Sequence, residues 1–183
     1  MAEFEELLVA ARDGDEDALS SPYRDLYPRF VRYAAAVMPR AAEDVAADAW
    51  LDVARGLHGF RGSEPAFRSW AFTIARRRLL DLQRTGARRR TDPVDPHALR
   101  DDTTGGNVED EALASLGAAW AIRTIVASLT PDQAEVVLLR VIGDLDVQQV
   151  ASIMGKRPGA IRVLQHRGLL RLAATLRREG VTR

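Results

Sequence analysis

The chain has 183 residues, with 26 basic and 26 acidic side chains, three histidines and no cysteine, and 46% of its residues are hydrophobic. The lack of cysteine excludes disulfides, thiolate metal sites and a thiol nucleophile, and no run of 18 apolar residues predicts a transmembrane helix. The length allows one large or two small domains, and the acidic, amphipathic start is unlike a signal peptide, so we expect a cytoplasmic protein.

Helical periodicity dominates the first half of the chain, and no segment alternates as a strand does. Three helices are predicted first, over residues 4–12, 22–38 and 42–57. Pro39 is expected to close the second of them. A loop with the sequence HGFRGSEP follows, and a fourth helix is predicted from Pro65 or Ala66 to about Arg84.

Residues 85–106 differ in character, because they are rich in Arg, Asp, Pro, Thr and Gly and poor in large apolar side chains. Such a segment cannot bury enough surface to fold alone and predicts a flexible linker. Helices resume near Val108. We therefore predict an all-α protein of two small helical domains joined by that linker, divided as 1–86, 87–110 and 111–183.

The second half of the chain contains two capping boxes. Thr130 with Gln133 opens one helix, and Asp146 with Gln149 opens the next. Gly155 is expected to end that short helix in a left-handed conformation. Pro158 then suits the first turn of a final helix, so 146–176 predicts a helix-turn-helix.

The final helix has two different faces. Ile161, Leu164, Gly168 and Leu172 form an inward seam, while the outward face carries Arg162, Val163, His166 and Arg167. The second helix of a helix-turn-helix enters the major groove of DNA, so nucleic acid is the expected partner. The alternative from pattern alone is an ordinary helical hairpin with a solvated basic face.

Residues 60–90 place aromatic residues before an arginine-rich helix end, and residues 55–100 hold 11 basic against 4 acidic side chains. Aromatic rings stack on unpaired bases and arginines hold the backbone, as in single-strand binding. The alternative is that Phe67, Trp70 and Ile74 are core. Arginines without acidic partners need a counterion, so several arginines of this segment are candidate phosphate ligands. They are Arg76, Arg77, Arg84 and the three arginines at 88–90.

Four segments in this order resemble the extracytoplasmic-function (ECF) group of RNA polymerase sigma factors, in the sigma-70 family. RFVRYAAAVM resembles region 2.1, AAEDVAADAWLDVARGLHGFRG region 2.2, and FRSWAFTIARRRLLDLQR regions 2.3 and 2.4. The stretch from LTPDQAEVVLLRVIG to LQHRGLLRL resembles regions 4.1 and 4.2. The resemblance implies a sigma-2-like domain and a sigma-4-like domain. It also implies a transcription initiation factor that directs polymerase core to promoters and assists opening of the −10 element.

The resemblance also implies roles by position. The residues expected to dock on polymerase are Glu43, Asp44, Asp48, Trp50 and Leu51. Those expected at the −10 element are Phe60, Arg61, Ser63, Trp70, Arg76, Arg77 and Arg84. Those expected to read the −35 element are Arg157, Pro158, Arg162, Val163, His166 and Arg167. Many relatives carry Ser, Arg and an apolar residue at 163–165, so the resemblance predicts no promoter sequence for Val163, Leu164 and Gln165.

The implied partners are polymerase core, through its β′ clamp helices and β flap, promoter DNA and an anti-sigma factor. No cofactor, metal, small-molecule substrate or membrane insertion is expected. One alternative is a helix-turn-helix regulator that works without polymerase. Another is an enzyme with Asp44, Asp48 and Asp52 as metal ligands, although a solvated or partner-facing stripe explains these residues better. The three histidines show no triad or metal spacing.

Overall fold

The computed structural model describes residues 2–89, 108–178 and 180 of the chain. All regular structure in those residues is helical, which confirms the all-α prediction. Of the linker predicted over 87–110, residues 90–107 lie outside the described residues, whereas 87–89 and 108–110 are helical. Two helical bundles flank it, here called the N-terminal domain and the C-terminal domain.

Four α-helices build the N-terminal domain, joined by short 3₁₀ turns. They are α1 (Ala2–Arg12), α2 (Ser20–Ala35), α3 (Ala42–Gly56) and α4 (Glu64–Arg89). Helix α2 ends at Ala35, three residues before its predicted end at Met38. The φ angle of Met38 is −136°. The residue before a proline is disfavoured in the α conformation, so Pro39 unwinds the chain ahead of itself. Helix α4 continues past Arg84 to Arg89, which the predicted boundary missed.

Aromatic and small residues form the core of the N-terminal domain. Phe30 and Phe72 are 1% and 0% exposed and meet edge to face at 5.2 Å. Ala46 and Ala49 on α3 are fully buried, and their small side chains let neighbouring helices approach closely. Burying each phenylalanine contributes about 1.5–3 kcal/mol.

Four more helices build the C-terminal domain. They are α5 (Val108–Ser128), α6 (Pro131–Val141), α7 (Val147–Met154) and α8 (Pro158–Arg178). Val136, Leu139, Val150 and Ile161 are fully buried between them. The start of α5 agrees with the predicted return of helix near Val108.

The predicted helix-turn-helix is confirmed in detail. The Asp146 carboxylate accepts from the Gln149 backbone N–H at 2.8 Å, and the Gln149 side chain accepts from the Asp146 N–H at 2.7 Å. Gly155 ends α7 at φ +64°, in the left-handed region that favours glycine. Pro158 opens α8, and the capping box from Thr130 to Gln133 opens α6 as predicted.

Candidate nucleic-acid and polymerase interfaces

The first turns of α8 present the predicted groove-reading face. Arg162, Val163, His166 and Arg167 are exposed, and Val163 keeps 48% of its surface in solvent. Ile161 is fully buried beneath them. The inward seam and the outward face therefore separate as the helical period predicts.

This face can recognise duplex DNA. Arg157 is exposed at the turn before α8 and Pro158 is partly buried in its first turn. None of the ion pairs among the described residues involves Arg157, Arg162 or Arg167. Arginine forks without an internal partner are suited to guanine edges and phosphates.

The loop before α4 differs from the expectation at Phe60. Its ring is only 9% exposed and packs on Phe67 and Trp70, with centroids 5.3 and 5.0 Å away. The Arg12 guanidinium of α1 donates to the Phe60 carbonyl and holds this packing. Phe60 is therefore core, because a ring among other aromatics buries more apolar area than one left in the loop.

Two polar residues of the same loop face solvent. Arg61 donates to the carbonyls of His58 and Phe60 at 2.9 and 2.8 Å, which shapes the turn. Ser63 is exposed, and its carbonyl accepts from the Phe67 N–H at 2.9 Å as α4 begins. These residues, unlike Phe60, are accessible to a ligand.

Trp70 lies between core and surface. It is partly buried, and a β-carbon built at Gly56 would lie only 2.8 Å from its ring. The ring thus sits directly on the backbone of α3. The structure supports the alternative in which Phe67, Trp70 and Ile74 belong to the core, with part of Trp70 still accessible.

The arginines of α4 differ in whether they have an acidic partner, and Arg76 is not free as its sequence context predicts. Arg76 does have an acidic partner, since its Nε and Nη2 lie 2.7 and 3.2 Å from the two carboxylate oxygens of Glu135. Arg84 pairs with Asp81 at 3.3 Å on the exposed surface. Arg77 is exposed. The side chains of 88–90 lie outside the described residues.

Helix α3 carries the predicted docking face. Glu43, Asp44 and Asp48 are exposed, and Leu51 keeps 50% of its surface in solvent. Trp50 is partly buried at the edge of this face. The spacing of Asp44, Asp48 and Leu51 places an acidic and apolar stripe along one side of the helix.

The surroundings of this face are aromatic. The Trp50 ring meets Tyr23 edge-on at 5.1 Å, and Tyr23 stacks on Tyr27 at 4.8 Å. Burial raises the pKa of Tyr27, and Tyr23 and the negative charges of α3 raise it further. Asp52 turns away from the face, because its carboxylate accepts from Arg78 at 2.6 Å.

Sequence reasoning missed a polar contact between the two domains. Glu135 of α6 binds both Arg76 and the hydroxyl of Tyr33, which lies 102 residues away in the chain. The one available signal was the position of Glu135, an acid within the apolar run of α6. Nothing local identifies its partners.

Within the described residues, no group of three or more metal-ligating side chains comes together. None of the described helices is both long enough and apolar enough to cross a membrane.

Comparison with known proteins finds two family regions in the chain. Residues 22–90 match sigma-70 region 2, and residues 119–172 match sigma-70 region 4. The chain is 32% identical over 178 residues to the ECF RNA polymerase sigma factor ShbA of Streptomyces griseus, covering 92% of each chain.

Two solved structures share the fold. CnrH, in complex with the cytosolic domain of CnrY, gives a TM-score of 0.64 at 18% identity, covering 95% of this chain and 97% of that one. RpoE, in complex with the anti-sigma factor NepR from Bartonella quintana, gives 0.64 at 20% identity, covering 87% and 96%.

Proposed function

We propose a division of roles within this chain, which belongs to the ECF group of RNA polymerase sigma factors and is therefore a promoter-specific transcription initiation factor. The N-terminal domain, which comprises α1 to α4, docks on polymerase core and handles the −10 element. The C-terminal domain, which comprises α5 to α8, reads the −35 element. Family membership disfavours a regulator that works without polymerase.

One observation carries this proposal: the two domains expose chemically opposite faces. The acidic and apolar stripe of α3, from Glu43 to Leu51, suits a basic helical partner such as the β′ clamp helices. The basic face of α8, centred on Arg162 and Arg167, suits the major groove. An acidic face repels DNA, so the two faces cannot exchange partners.

At the −10 element, the exposed groups make the better DNA ligands. Arg61, Ser63 and Arg77 are accessible, and Trp70 offers part of its ring for stacking on an unpaired base. Phe60 supports this surface from beneath. Arg76 points at the same region but is occupied by Glu135 in this conformation.

RpoE, which shares the fold, has been solved with the anti-sigma factor NepR, and we expect an anti-sigma factor to bind this chain as well. We expect this chain itself to act in the cytoplasm, where polymerase works, and to have no catalytic activity of its own. The β flap is the expected polymerase partner of the C-terminal domain.

The decisive experiment is reconstitution with polymerase core. The full chain is mixed with core, and the complex is isolated and challenged with a library of random promoter sequences. We expect a stable complex that transcribes from templates sharing two conserved elements. A chain that binds duplex DNA tightly without core, and never binds core, would overturn the assignment.

A further inference from the structure

Val163 is an apolar side chain on the otherwise polar groove-reading face of α8. It keeps 48% of its surface in solvent, whereas Ile161, two residues earlier, is fully buried. The next residue, Leu164, packs against the core. Val163 therefore lies on the outward side of the helix, where an exposed apolar group gains free energy only if a partner covers it.

The charges around Val163 indicate what kind of partner covers it. Arg162 and Arg167 lie on either side of it around the helix, and both are exposed. The sequence of α8 contains no acidic residue, and neither arginine takes part in an ion pair among the described residues. An apolar protein surface would bury both guanidinium groups without a counter-charge, which is costly. A polyanion such as duplex DNA supplies that charge.

The position of Val163 along α8 favours the bases over the phosphates. Val163 lies in the second turn of the helix, and the N-terminal residues of a recognition helix are those that contact base edges. Arg162 and Arg167 are about 7.5 Å apart along the helix axis, less than the width of about 12 Å of a major groove. All the side chains between them therefore fit within one groove.

Gly159 leaves the approach to Val163 open. It is exposed one turn before Val163 on the same face, and a β-carbon built on it would meet nothing within 4 Å. Glycine in a helix is about 1 kcal/mol less favourable than alanine, and packing among the described residues does not require it here. A helix tip without a side chain at this point lets the backbone approach DNA closely.

The chemistry of valine limits which base edge it can recognise. The major-groove edges of the four bases present hydrogen-bond donors and acceptors, and thymine alone adds an apolar group, its 5-methyl. The side chain of Val163 forms no hydrogen bond, so it would desolvate a polar edge without replacing the lost bond with water. Branching at the β-carbon also holds its two methyl groups in one preferred rotamer within a helix.

We propose that Val163 contacts the 5-methyl group of a thymine in the −35 element and so determines specificity at that base pair. This rests on the proposed function, in which α8 binds the −35 element. Arg162 and Arg167 hold the helix in the groove on either side of the contact. A base without the methyl group leaves Val163 facing a polar edge or a gap, and both weaken binding.

Replacing thymine by deoxyuridine tests this contact on the DNA side. The substitution removes only the methyl group and keeps every hydrogen-bonding group of the base. It is made at each thymine of the −35 element, in turn, in a promoter that the holoenzyme transcribes. We expect one position at which the wild-type holoenzyme binds about fourfold more weakly, the effect of losing one buried methyl group. Affinities are measured by competition between duplexes.

Val163→Ala tests the contact on the protein side. It shortens the side chain, and alanine is a better helix former, so α8 is preserved. The holoenzyme with this variant should distinguish thymine from deoxyuridine less than about twofold at the sensitive position. The matched control is Val126→Ala, which makes the same change at an exposed valine of α5, outside the helix-turn-helix. This control should keep the fourfold difference.

Two results would overturn the proposal. One is equal wild-type affinity for thymine and deoxyuridine at every position of the −35 element. The other is a difference that persists unchanged in Val163→Ala, because another residue then contacts the methyl group. Transcription from the unmodified promoter by the wild-type holoenzyme is measured in parallel. Its failure would overturn the proposed function together with this contact, whereas normal transcription without a methyl effect overturns the contact alone.

Discussion

Replacing Gly56 by alanine should displace Trp70 and loosen the loop before α4. The new β-carbon would lie 2.8 Å from one ring carbon of Trp70 and 3.1 Å from the next, whereas ordinary contacts begin at 3.4 Å. The ring must therefore move by about 0.6 Å. The ring also packs against Phe60 and Phe67, whose centroids lie 5.0 and 5.6 Å away and limit its movement.

Two opposing effects decide the sign of the stability change. Overpacking of this kind costs about 1–3 kcal/mol. Alanine in place of glycine at the end of α3 recovers about 0.5–1 kcal/mol through helix propensity. The net expectation for Gly56→Ala is a loss of about 1 kcal/mol, or roughly 4 °C or more in Tm for a domain of this size.

Gly59 provides a matched control three residues away. A β-carbon there meets nothing within 4 Å, and its φ is not positive, so Gly59→Ala should be neutral or stabilising by up to about 1 kcal/mol. Stability is measured by denaturant unfolding, and promoter opening by a fluorescent base analogue in the −10 element. Gly56→Ala should impair both and Gly59→Ala neither. Equal stability of the two variants would refute the idea that Gly56 seats the Trp70 ring.

Three further substitutions test the proposed faces and the buried tyrosine. Arg162→Ala should weaken holoenzyme binding to a matched −35 element by about 1–3 kcal/mol and relax specificity at one base pair, measured by competition with mutated duplexes. An equal loss of affinity on every sequence would make Arg162 a phosphate contact. Arg178→Ala, at the far end of α8, is the control. Asp48→Arg should weaken binding to polymerase core and leave the helical content unchanged. The same charge reversal at exposed Asp13 should have no effect. If the wild type and Asp48→Arg bind core with equal affinity, Asp48 does not belong to the docking face. Burial, and then the charge of Glu135, raise the pKa of Tyr33 above its ordinary value near 10. The folded chain therefore keeps this proton longer than the unfolded chain, so the stability linked to it is complete below about pH 10 and is lost at higher pH. Tyr33→Phe should cost about 1–2 kcal/mol at neutral pH through the lost hydrogen bond, and its deficit against the wild type should shrink above pH 10 in denaturant titrations. A deficit that is constant with pH would refute the raised pKa.

The local features of this fold were predictable because their causes lie within one or two helical turns. A capping box needs only two residues three positions apart, so the starts of α6 and α7 follow from Thr130 with Gln133 and Asp146 with Gln149. The same holds for the two faces of α8, where the period of the helix separates Ile161 from Arg162.

Helix ends and side-chain accessibility were less predictable. The polar composition of residues 85–106 indicated that α4 stops near Arg84, yet the helix continues to Arg89. The family resemblance implied a role at the −10 element for Phe60, yet tertiary packing against Phe67 and Trp70 buries its side chain. The burial of a side chain depends on residues from distant parts of the chain, including α1, that pack against it. A short segment of sequence does not contain that information.

The sequence by itself therefore determined the helices, the helix-turn-helix and the acidic and basic faces, since spacing along one helix decides which residues share a side. Only the tertiary structure decided which charges are free. Asp52 is paired with Arg78 across 26 residues, and Arg76 with Glu135 across 59. A charge takes whichever partner the fold brings within a few ångströms, so the arginine that composition assigned to a phosphate is held by a carboxylate of the other domain.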